Sequence, residues 1–161
     1  MEKKITKDQI LKGLKNGTVK LVPANAPGTP GTACKIGEYD FWFGGEEAES
    51  TTPEEYMKNV PMEEIASEIL SALDAFAEDP FDDNVTEYLY YAAILEESEK
   101  NGKTILLVDL PVTGYLRVQE FKTKKVFLSI GEGDPGDVPP DIAMRTVVNI
   151  YAENNWTVIE V

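Results

Sequence analysis

The sequence predicts an α+β fold from three patterns. Apolar residues recur at three- and four-residue spacing in several segments, β-type runs occupy other segments, and Gly and Pro clusters separate the two kinds. At 161 residues, 42% of them hydrophobic and 27% charged, the chain is long and apolar enough for a real core. The expectation is one domain over residues 1–161, with a mainly antiparallel sheet of about six strands and four or five helices packed on it. No internal repeat, low-complexity tract or linker interrupts it.

The elements follow in order. In "TKDQILKGLK", Thr6 and Gln9 have capping-box spacing and Ile10, Leu11 and Leu14 share a face, which predicts a helix over 6–15 that ends at Gly17. "TVKLV" (18–22) reads as a strand, and "PANAPGTPGTA" (23–33), with three prolines and two glycines, as an exposed loop. "CKIGEYDFWFGG" (34–45) reads as one returning strand that pairs with the first. In it Tyr39, Phe41 and Phe43 point one way and Asp40 and Trp42 the other. Thr52 then caps a short helix with Pro53 at its first position and Glu55 at its third, running to Asn59. Pro61 restarts a longer helix to about Ala77, whose core stripe is Ile65, Ile69, Leu70, Leu73 and Phe76. "EDPFDDN" is a turn. "VTEYLYYAAILEESEKNG" is a helix ending near Asn101-Gly102, apolar nearly all round and therefore either central or covered by a partner. "KTILLVDLPV" (103–112), "YLRVQEF" and "KVFLSI" read as an antiparallel meander with a lysine-rich turn between the last two. A loop over 131–140, a helix from Asp141 with Met144, Val147, Val148 and Tyr151 on one face, and the strand "WTVIEV" complete the chain.

Composition excludes much chemistry. There is no histidine, so Ser-His-Asp and Cys-His catalysis are ruled out, and with a single cysteine a structural zinc site has too few ligands. Cys34 has no internal disulfide partner and reads as core filler beside an apolar strand, in keeping with a reducing cytoplasm. The start of the chain lacks the apolar stretch of a signal peptide. Its longest apolar run, "YLYYAAIL", is far shorter than the roughly 20 residues of a membrane span. A soluble, cytoplasmic protein is expected.

Charge is segregated. Residues 1–36 hold seven Lys and two acids, residues 37–101 two Lys and nineteen acids, and residues 102–161 six basic and eight acidic groups. The middle segment alone carries −17 of a net −14, the first segment being +5 and the last −2. Such a block repels nucleic acid and anionic membranes and attracts basic proteins. Its acids fall opposite the core stripe of the long helix, at Glu63, Glu64, Glu68, Asp74 and Glu78, with Glu54 before it and Glu96 after it. These seven are the candidate partner-binding residues. Adjacent acids on a helix do not face each other, so pairs such as Glu63-Glu64 read as surface charge rather than as acid/base catalysts. The lysines at 122, 124 and 125 lack the interleaved aromatics of a nucleic-acid site and read as edge protection.

One motif competes. "SIGEGDPGD" places Gly131, Gly133 and Gly136 in G-x-G-x-x-G spacing between a strand and a helix. Asp137-Val138-Pro139-Pro140 separates the last glycine from the helix, and Glu132, Asp134 and Asp137 would face phosphates without a basic residue in the loop. A further dinucleotide-type unit does not fit before Val161. The same acids, with Asp141, do not follow the EF-hand order. The sequence therefore reads as a non-enzymatic interaction module for a basic protein partner, with no catalytic residue, cofactor or metal assigned and no nucleic-acid or membrane binding expected. DNA-mimic inhibitors and immunity proteins are its analogues in charge and size. The alternative is a small-molecule or divalent-cation-dependent enzymatic domain using the 131–141 loop with Tyr39 or Trp42.

Overall fold

The computed structural model describes residues 4–78, 82–102, 107–111, 116–130 and 136–160, with backbone only at 82–84 and 107–111. Among them are six helices and seven strands in chain order: α1 (Lys7–Asn16), β1 (Val19–Pro23), β2 (Thr32–Ile36), β3 (Tyr39–Trp42), α2 (Glu46–Glu49), α3 (Pro53–Asn59), α4 (Met62–Glu78), α5 (Asp82–Asn101), β4 (Leu107–Pro111), β5 (Leu116–Phe121), β6 (Lys125–Ile130), α6 (Pro140–Glu153) and β7 (Thr157–Glu160). The α+β class is as expected. The single sheet is not, because the strands form two separate sheets of three and four. The chain divides into two compact units, Met1–Thr104 and Ile105–Val161, and each owns one sheet.

In the first unit, β2 pairs antiparallel with both β1 and β3. The one strand expected over 34–45 is a correction: the chain folds back between Ile36 and Tyr39, which are directly paired. Gly37, at φ +67°, takes the first position of this two-residue turn, a conformation open to glycine without strain. Val19, Cys34, Ile36, Phe41 and Phe43 are buried, while Lys20, Lys35, Asp40 and Trp42 are exposed. Helix α1 starts from the full Thr6–Gln9 capping box and stops at Gly17, whose φ is 90°. Helix α3 starts from Thr52, whose hydroxyl accepts from Glu55 N–H, and Pro53 fits its first turn. The preceding turn is tied to the sheet, since Gly31 N–H and the Thr32 hydroxyl both donate to the Thr51 carbonyl.

Helix α5 is central in this unit, with Tyr88, Tyr90, Tyr91, Ile94 and Leu95 buried. Its Tyr88 hydroxyl accepts from Ile5 N–H at 2.8 Å and its Tyr90 hydroxyl from Glu38 N–H at 3.3 Å. Tyr91 packs against Phe41 and, through it, Phe76 of α4, with ring centroids 5.3 and 5.6 Å apart along that chain. Near its end Ser98 is buried, hydrogen-bonded to Thr18 and Asn16. The aromatic layer between α4, α5 and the sheet is the core that holds α4 in place.

The second unit is built as expected from the meander β4-β5-β6, with one change: β7 joins β6 in parallel. A parallel partner needs a crossover, and α6 supplies it. Met144, Val147, Val148 and Tyr151 of α6 pack on Leu116, Val118, Val126 and Leu128 of the sheet. Trp156 closes this layer against Tyr151, edge to face at 5.3 Å.

Candidate functional surface

Helix α4 presents two acidic stripes because its core stripe occupies only part of its circumference. At about 100° per residue, Glu63, Asp74 and Glu78 fall within about 60° of one another, and Glu64 and Glu68 form the neighbouring stripe. Ile65, Ala66, Ile69 and Leu73 are buried on the far side. Glu63, Glu64 and Glu78 are exposed, as is Glu54 on α3, while Glu68 and Asp74 are half-buried. Glu63 and Glu78 stand roughly 22 Å apart along the axis, so the acids form an extended strip and not a single focus.

One convergence does occur, at Tyr56. This buried residue of α3 donates its hydroxyl hydrogen bond to the Glu68 carboxylate. Burial raises its phenol well above the usual range, then the bond to Glu68 raises it further, followed by the negative charges of Glu68, Glu47 and Glu64. Carboxylates from α2 and α4 thus bear on one point beside α3. Gly44 lies over the pair with φ +69°; a Cβ there would stand 3.3 Å from Glu68 Oε2 and 3.4 Å from the Tyr56 hydroxyl. Phe43, edge to face with Tyr56 at 5.6 Å, fixes the ring from the sheet side.

The structure adds Glu47 to the acidic surface, a residue outside the seven expected from sequence. Its helix α2 is only four residues long, too short for any periodicity to reveal, though three acids follow the glycine pair Gly44-Gly45. Glu96 is placed differently from the others. It sits on α5, where Lys100 lies 3.4 Å from its carboxylate in the i, i+4 position, so part of its charge is balanced locally. Exposed apolar side chains accompany the acids at the turn from α3 to α4, where Met57 and Met62 are 48% and 36% exposed.

Tyr39 packs edge to face on Tyr90 at 5.1 Å, whereas Trp42 is exposed on the opposite face of β3, so the two do not line one pocket. Residues 131–135, including Gly131, Glu132, Gly133 and Asp134, lie outside the described residues. Gly136 is in the left-handed region at φ +69°, and Asp137 and Asp141 are exposed. Among the described residues no group of three or more Cys, Asp or Glu side chains is arranged to hold a metal ion. Cys34 is fully buried, and burial pushes its thiol far up, which suppresses the thiolate a nucleophile needs. In the second unit Lys124 stacks over Trp156, its Nζ 5.2 Å from the ring centroid. No described helix is long and apolar enough to cross a membrane. Compared with protein-family models, with curated proteins and with solved structures, the chain matches none.

Proposed function

We propose that this protein is a non-enzymatic interaction module whose acidic surface, formed by α2, α3 and α4, binds a basic surface on a partner protein. The observation that supports this reading is the set of exposed acids on three successive helices, Glu46, Glu47 and Glu49 on α2, Glu54 and Glu55 on α3, and Glu63, Glu64 and Glu78 on α4. Carboxylates on one surface add to its negative potential, and a lysine or arginine from outside relieves that potential. The modes this fits are occlusion of a nucleic-acid-binding protein and neutralisation of a basic toxin. A reducing, cytoplasmic setting agrees with the lone buried thiol.

The test is capture from a cytoplasmic extract at low and then moderate salt, with mass spectrometry of what is retained. The bait is compared with a variant carrying Glu54→Gln, Glu63→Gln, Glu64→Gln and Glu78→Gln, and with the control Glu153→Gln/Glu160→Gln. A basic protein held by the native chain and the control, lost with the fourfold variant and released by salt, is expected. Equal retention by all three baits removes the acidic surface from the account, and retention of a small molecule or metal alone favours the loop at 131–141.

A further inference from the structure

The acids at the start of α3 and α4 have a local role as well as any external one. Glu54 and Glu55 lie in the first turn of α3, and Glu63 and Glu64 in the first turn of α4, where negative charge complements the exposed N–H groups of a helix N-terminus. Met57 and Met62 have no such explanation. Their neighbours Pro53, Tyr56, Val60 and Ile65 are buried, whereas Met57 and Met62 are exposed at 48% and 36%. Methionine is flexible and polarisable, and exposed methionines flanked by carboxylates make a surface that adapts to apolar side chains carried between basic ones.

Resting on the reading above, we infer that the α3–α4 corner is the anchor point of the interface, and that its occupant is a basic amphipathic segment of the partner. Its apolar side chain rests on Met57 and Met62, and its lysines or arginines meet Glu54, Glu55, Glu63 and Glu64. Charge complementarity selects this occupant. Residues 53–64 hold four acids and one basic residue, Lys58, and a segment rich in lysine or arginine complements that balance. Because the corner is small, the contact is a weak one that adds selectivity to an electrostatic encounter.

The experiment uses the full chain and two fluorescent probes of equal length and charge: an amphipathic helical peptide of lysine and leucine, and oligolysine diluted with serine. Met57→Ser/Met62→Ser, both at exposed positions, is expected to weaken the lysine–leucine peptide about tenfold and to leave the lysine–serine probe unchanged. Glu63→Gln/Glu64→Gln is expected to weaken both, with Glu153→Gln/Glu160→Gln as the charge-matched control. Unchanged lysine–leucine affinity in the methionine variant overturns the anchor while the acidic reading stands, provided the Gln variant still loses both probes. If the Gln variant binds both probes as the control does, the acidic reading falls and the anchor with it. Circular dichroism of each variant confirms that the fold is retained, and a variant that unfolds is replaced by Met57→Gln/Met62→Gln.

Discussion

Two tyrosines on one helix, Tyr88 and Tyr91 of α5, illustrate how a hydroxyl's partner decides its value. Tyr88 is fully buried and accepts from Ile5 N–H, so Tyr88→Phe strands that amide and is expected to cost about 1–2 kcal/mol in urea unfolding. Tyr91 is equally buried, but its hydroxyl has no hydrogen-bond partner among the described residues. Tyr91→Phe is therefore expected to stabilise by about 1 kcal/mol, and a loss of that size would mean the hydroxyl is satisfied after all. Burial, and after it the charge of Glu87, also raises the Tyr91 phenol, as burial and Glu68 raise that of Tyr56. The raised folded-state values favour the protonated form. Their contribution to stability is fully present below pH about 10, the unfolded value, and is lost as pH rises towards the folded ones. The thermal midpoint should hold steady up to about pH 10 and then fall, with tyrosinate absorbance at 295 nm rising in the same step. Cys34 should resist a water-soluble disulfide reagent until the chain unfolds, and rapid labelling of native protein would contradict its burial.

At the scale of elements, the chemistry of chain ends was the most legible part of the sequence. Thr6 with Gln9, Thr52 with Pro53, and Gly17 and Gly102 mark real helix ends because caps act through neighbours only a few residues away. The β2–β3 turn leaves a weaker signal in the sequence. Ile36 and Tyr39 are both turned to the core yet are three positions apart, a parity break that a continuous strand cannot make. The alternating aromatics after Gly37 hid it. Gly13 makes the opposite point, that a local rule can be overruled by packing. Ala is the better helix former, but a Cβ at Gly13 would lie 2.5 Å from Val19 Cγ2, and Val19 is buried. Gly13→Ala is expected to destabilise by about 1–3 kcal/mol through overpacking of α1 on β1. A gain in stability would show that Val19 can move aside.

For the whole molecule, helix and strand types could be read from periodicity, but their assembly into two sheets could not. Pairing is a long-range choice, and nothing local in "KTILLVDLPV" says whether it continues an existing sheet or begins another. The same holds for the acidic surface. Helical spacing puts Glu64 and Glu68 on one side of α4, yet only the fold lets the charge of Glu47 on the short helix α2 act on the Tyr56 phenol as well. It also sets Glu96 beside Lys100. The central claim is that this negative surface is where a basic partner binds. The most direct measurement is the affinity of the captured partner for the native chain and for the Glu54/Glu63/Glu64/Glu78→Gln variant across a salt series. The account predicts at least a tenfold weaker affinity for the variant at low salt and a shallower dependence on salt. Equal affinities with parallel salt dependence would contradict it, and would leave the acids of α3 and α4 as solubilising charge.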